Sequence, residues 1–240
     1  MEKHRDNIFA VRLNIPDEKG LFMSTREKII QAADRLFGEV GFDASTVQKI
    51  AELSQTNKAL IHYHFKSKEN LFVCVIDHYF EELTDALQKS LLGEGFLENR
   101  IAKAIDRYIQ FLEQNRNFVR IIQREINGGK QRDCVIGHMA PLFQMVVTAV
   151  REAYPKTLAG DLAAEQLVVS CYGMIITYYS SHGVIEKVLA SNPLTGENLL
   201  VRRKHLKAML DIIIGVIKED VNDVIAPSRD LPEEEHRNNI

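Results

Sequence analysis

The chain is 240 residues long, 45% hydrophobic and 26% charged, with a formal charge of −3. That balance is ordinary for a water-soluble globular chain of one large or two small domains, and it excludes any attraction to nucleic acid through total charge. Three cysteines (74, 134 and 171) form no spaced framework, and no run is apolar enough for a leader or a bilayer span; a reducing cytoplasm away from membranes is therefore expected.

Residues 1–22 read as an N-terminal extension, with Ile8, Phe9, Val11, Leu13 and Ile15 alternating until Pro16. A first helix opens at Ser24, with Glu27 completing a capping box, and its buried face comprises Ile29, Ala32, Ala33, Leu36, Phe37 and Val40. Gly41 is placed to end it. Ser45 with Gln48 suggests the cap of a second, short helix that buries Val47, Ile50, Ala51 and Ser54. The polar run 54–56 breaks the pattern, and Asn57 is a strong cap for a third helix. On that helix Ile61 and Phe65, four apart, face inward, so Ala59, His62 and Tyr63 project outward with Lys58 and Leu60 on the flanks. A small methyl, an imidazole and a phenol make an unusual solvated face and a sensible one for a major groove. Between Ser24 and Leu71, seven Lys/Arg stand against six Asp/Glu, a balance of only +1, so the motif carries this reading and charge does not.

These residues resemble a known family. Thr46-x-x-x-Ile50-Ala51 followed by Tyr63-His64-Phe65-x-Ser67-Lys68-x-x-Leu71 looks like the helix-turn-helix signature of TetR/AcrR transcriptional regulators, and Arg26 to Phe42 is similar to that family's first helix. The resemblance covers roughly residues 24 to 72. Ser54-Gln55-Thr56-Asn57 replaces the family's usual Ala-Gly-Val-Ser, Ala59 stands in place of its Gly, and His62 in place of its common Tyr. The resemblance implies an all-α fold: a helix-turn-helix DNA-binding domain over 23–70, then an effector-binding and dimerisation bundle over 71–225. A polar tail over 226–240 follows.

Ser67 is placed to cap a fourth helix running to about Leu92, with Leu71, Val75, Tyr79, Leu83 and Leu87 in one stripe. It joins the two domains, so we read it as the lever between them. Further helical segments are expected near 97–114, 117–127, 139–154, 161–180, 183–190 and 197–219, with Pro141 near the start of its segment. Residues 167–179 and 206–217 are apolar on more than one face and must be covered on several sides. A four-helix contact between two copies fits, with Gly173, Thr177, Leu206, Met209, Leu210, Ile213, Val216 and Ile217 as interface candidates. The resemblance implies the same homodimer. A two-fold pair would hold two recognition helices about 34–36 Å apart, facing a palindromic operator in double-stranded DNA.

Lys58, Ala59, Leu60 and His62 are base-edge candidates; Thr46, Tyr63 and Lys68 are phosphate candidates; His64 is read as structural. Polar or aromatic groups on apolar helices (Gln123, Arg124, Phe143, Gln144, Tyr172, Tyr178 and His182) are the candidates for a small-molecule effector pocket. Cys74-x-x-x-His78 and Cys134-x-x-x-His138 share an i, i+4 spacing, but that is not a zinc-site spacing, and neither metal nor cofactor is expected. No catalytic motif is present, so no enzyme activity is expected. The reading is a DNA-binding regulator, a repressor released when an effector binds; the alternatives are a ligand-independent or activating DNA-binding regulator and a helical protein-interaction module.

Overall fold

A computed structural model describes residues 23–218; the extension at 1–22, the end of the larger domain at 219–225 and the tail at 226–240 lie outside them. The described residues form ten α-helices and no strand, an all-α fold. The unit expected to read DNA, the reading unit, is α1 (Thr25–Ala44), α2 (Val47–Leu53) and α3 (Lys58–Phe65); α4 (Lys68–Leu91) leaves it for the bundle. There follow α5 (Leu97–Gln114), α6 (Arg116–Ile126), α7 (Arg132–Ala153), a 3-10 turn (Pro155–Leu158), α8 (Ala164–Ser180), α9 (His182–Leu189) and α10 (Gly196–Lys218).

Local chemistry explains the starts. Ser24 and Glu27 form the expected reciprocal box, Asn57 accepts from the Leu60 N–H at 2.9 Å, and Ser67 accepts from the Asn70 N–H at 3.1 Å. The second helix differs from expectation. Thr46, not Ser45, caps it, accepting from the Lys49 N–H at 3.2 Å. Ser45 is instead buried, its hydroxyl donating to the Gly41 carbonyl at 2.6 Å, which closes the end of α1. Gly41 adopts φ 85°, the left-handed region where a Cβ is costly, and breaks the helix geometry there. Val40, just before that break, is 42% exposed and not a core residue.

The core runs without a gap from α1 into the bundle. Phe37, Phe42 and Phe72 meet edge to face or tilted at 5.3–5.7 Å, and Tyr79, Phe80 and Phe111 surround Phe118 at 5.0–5.5 Å. The stripe Leu71, Val75, Tyr79, Leu83, Leu87 is buried along α4 as its spacing requires. Beyond α4 itself, α6 packs directly on α1, so the reading unit is held at two places.

Two expectations about α7 are corrected. It starts at Arg132, so Pro141 lies well inside it and not near its start. The missing N–H faces the Gly137 carbonyl, and both Gly137 and Pro141 are exposed, so water can serve that carbonyl. Against the expectation of no spanning run, α7 is also long and apolar enough, by length and composition, to cross a bilayer. Here its apolar groups face α4, α6 and α8.

Candidate functional site

The recognition helix is set by its two ends and two anchors. Ile61 and Phe65 are 2% and 3% exposed, which turns Lys58, Ala59, Leu60, His62 and Tyr63 outward; all five are exposed, Tyr63 at 71%. In the preceding turn Gln55 takes φ 53° where the family uses glycine. That backbone is held by Ser54, whose hydroxyl donates to the Ile50 carbonyl at 2.7 Å, and by the Thr56 N–H on the Ala51 carbonyl at 2.9 Å. After α3, Lys66 at φ 68° carries its ammonium over the Tyr63 ring at 5.7 Å. Lys66 is therefore a surface cation beside Tyr63. His64 is half-buried, edge-on to Tyr63 at 5.2 Å.

Lys68 has another occupation than the phosphate contact expected for it. Its ammonium donates to the carbonyls of Phe42 and Ser45, both at 2.9 Å, and sits 4.0 Å from the Phe42 ring centroid. It staples α4 to the frayed end of α1, a tertiary contact that a surface-helix reading misses. Thr46 is exposed beside it, its hydroxyl already serving as the α2 cap.

The reading unit is fixed to α6 by polar groups. Asp34 accepts from the Tyr79 hydroxyl and from Asn117 Nδ2, the latter at 3.0 Å, and Arg124 Nη1 donates to the Phe37 carbonyl at 3.3 Å. The approach is close: a Cβ on Gly38 would meet the Asn117 side chain at 2.7 Å, and one on Gly41 would meet Arg124 at 2.6 Å. Arg124 is thus a strut between the two units, not a pocket residue.

Inside the bundle lies a cavity of about 160 Å³ lined by α4 (Phe80 to Leu91), α5 (Ile101 to Tyr108), Phe118 and Ile122 of α6, and residues of α7, α8 and α10. Of the seven pocket candidates, Phe143 and Tyr172 line it, 5.1 Å apart ring to ring. Gln123 stands behind Tyr172, its amide donating to the Tyr172 hydroxyl at 3.4 Å. Gln144 is exposed; Tyr178 donates to the Pro193 carbonyl at 3.0 Å under Arg202; His182 bonds the Tyr179 carbonyl at 3.2 Å on α9. None of these three, nor Arg124, touches the cavity, because periodicity names a face without saying which neighbour covers it. Tyr108 was missed; an isolated phenol on the apolar face of α5 is the signal that points to it. Burial, then neighbouring Tyr172 and Tyr179, push its phenol well above the ordinary range, and burial raises Tyr172 and the Cys171 thiol.

The interface candidates divide. Leu206 and Ile217 are buried within the chain, and Leu210, Ile213 and Ile217 line the cavity, so these four turn inward. Met209 and Val216 are half-buried. Gly173 and Thr177 do face out, in line with Val169, and nothing lies within 4 Å of a Cβ at Gly173 or Gly215. Leu200, Val201 and Ile212 are the exposed large apolar groups on α10. The two Cys-x₃-His pairs do not converge: among the described residues no three His, Cys, Asp or Glu come together as metal ligands. His138 instead bonds Asp77 at 2.8 Å through Nε2 and the Cys134 carbonyl at 2.8 Å through Nδ1.

Residues 29–75 match the sequence profile described as bacterial regulatory proteins, tetR family. The HTH-type transcriptional repressor NicS of Pseudomonas putida is 32% identical over 105 residues, 42% of this chain and 48% of that protein. The chain spans about half the length of the curated relatives it matches. Among solved structures, the fatty acid degradation regulator FadR of Bacillus halodurans superposes with a TM-score of 0.63 at 13% identity, over 83% of this chain and all of that one. A transcriptional regulator of Aquifex aeolicus gives 0.61 at 18%, over 79% and 99%. At these identities the structural likeness speaks for the fold.

Proposed function

We propose that this chain, whose residues 29–75 match the tetR family of bacterial regulatory proteins, is a DNA-binding transcription regulator that acts as a homodimer and represses until a small molecule enters its bundle. The observation that carries this is the outward face of α3: a capped, two-point-anchored helix presenting Lys58, Ala59, Leu60, His62 and Tyr63 to solvent. Ala59 lets the helix approach base edges, His62 can donate or accept there, and Tyr63 with Lys66 and the exposed Thr46 lie where phosphates would pass. The sign of regulation follows the name of NicS, a repressor.

The second copy would cover Val169, Gly173 and Thr177 of α8 and Val201, Ile212 and Gly215 of α10, whose exposed apolar groups have no cover among the described residues. Ligand and reader then communicate through two helices. Phe80 and Leu83 of α4 and Phe118 and Ile122 of α6 line the cavity, and both helices continue to α1, α4 through Tyr79 and α6 through Asn117 and Arg124. A ligand that separates α4 from α6 drags the reading unit with it. Releasing DNA about 100-fold requires the ligand to favour the mis-spaced conformer by roughly 2.7 kcal/mol.

The test is binding of the purified chain to DNA upstream of its own gene, followed by fluorescence anisotropy. Saturable binding is expected to fall as salt rises, and Tyr63→Ala or His62→Ala to cost about ten- to a hundredfold with helical content unchanged. Binding that ignores both salt and these substitutions would remove the regulator reading.

A further inference from the structure

The cavity's own chemistry narrows its occupant. Among the described residues, not one lysine, arginine, histidine, aspartate or glutamate lines it. Its lining follows α4 from Phe80 to Leu91, eleven residue steps or roughly 16 Å at 1.5 Å per residue, so the lining is long as well as apolar. Its polar points are the hydroxyls of Tyr108, Tyr154 and Tyr172 and the thiol of Cys171. The Tyr172 oxygen accepts from the Gln123 amide, which leaves the phenolic proton for a further acceptor, and Tyr108 lies close by on α5. A carboxylate or ammonium placed inside would lose its water and meet no opposite charge, a cost of many kcal/mol.

We propose that this site selects an uncharged single-chain amphiphile, whose oxygen accepts from Tyr172 while its alkyl chain lies along α4, and that it rejects the same chain bearing a charge. This rests on reading the chain as a ligand-controlled regulator. Burial keeps the Tyr108 and Tyr172 phenols protonated through the neutral range, so both remain neutral donors.

The experiment uses three probes with one tail at neutral pH: 1-dodecanol below its solubility limit, and sodium dodecanoate and dodecyltrimethylammonium below their micelle concentrations. Each is titrated into the full chain by calorimetry, with DNA affinity followed in parallel. Dodecanol binds saturably, and 1-decanol about tenfold more weakly, since each methylene contributes about the same free energy. Dodecanoate and the cation bind about a hundredfold more weakly or not at all. Tyr172→Phe weakens dodecanol about tenfold while the chain-length dependence persists. Val168→Phe, which fills the cavity, removes binding; Val146→Phe serves if that variant does not fold.

Dodecanoate or the cation binding as tightly as dodecanol overturns the inference, and so does failure of all three to bind. In either case intact DNA binding leaves the regulator reading standing. Dodecanol binding as described by a chain with no affinity for DNA would have the opposite meaning: the site chemistry holds and the regulator reading falls.

Discussion

The three-helix reading unit and the bundle behind it solve opposite packing problems. In the first, side chains fill the interior: Ile29, Ala33, Phe37 and Ile50 have no exposure, and the chemistry sits outside on α3. In the second, the interior is left partly open, and the chemistry sits inside among Tyr108, Phe143 and Tyr172. A unit that reads DNA, as proposed for the first, must hold its backbone still while a rigid duplex is matched. A ligand site needs free volume and must therefore forgo some packing energy. The seam between them is polar and close, with Asp34, Asn117 and Arg124 meeting two glycines, so a movement on one side has little slack in which to dissipate.

That contrast can be broken most forcefully in the core. Phe37→Ala, which empties a site touching Phe42 and Phe72, is expected to cost roughly 3–5 kcal/mol in urea unfolding. Phe143→Ala, at the rim of an existing cavity, should cost far less; equal losses would mean that the bundle is packed as tightly as the reader. Next comes Lys68→Met, which keeps the stem over Phe42 but strips two carbonyls of their donor. A loss of about 1–3 kcal/mol is expected, with the salt slope of DNA binding unchanged. Lys66→Ala should do the reverse, lowering that slope by about 1 with little loss of stability.

Smaller effects sharpen the picture. Gln55→Gly relieves the left-handed backbone at φ 53° and is expected to stabilise by about 0.5–1 kcal/mol in thermal unfolding. The smallest is Glu69, in the first turn of α4, whose carboxyl is held below its ordinary value by its own backbone N–H and then by Ser67. The unfolded chain protonates this group first as pH falls. Its contribution is therefore present above the ordinary value near 4.5 and lost as pH drops through the lowered folded value. Glu69→Gln should cost a few tenths of a kcal/mol at neutral pH, and the difference should vanish in acid.

What could be read from the chain alone depended on distance along it. Asn57, Ser67 and the Ser24–Glu27 box act on neighbours three residues away, and all three do as their spacing requires. The Ser45 cap misled because Ser and Thr stand side by side and only the end of α1 decides which hydroxyl is buried. Lys68 misled because its partners lie 26 and 23 residues back. The four inward-turned interface candidates on α10 show the same limit: an all-round apolar helix announces that it is covered, not by what.

By itself, then, the amino-acid order determined the helices, their caps and the outward face of α3, since each follows from hydrogen bonds and periodicities within a turn or two. The cavity, the α6–α1 seam and the occupation of Lys68 were decided by tertiary structure, because each needs groups from different helices to meet at a distance of a few ångströms. No local pattern encodes which helices those will be.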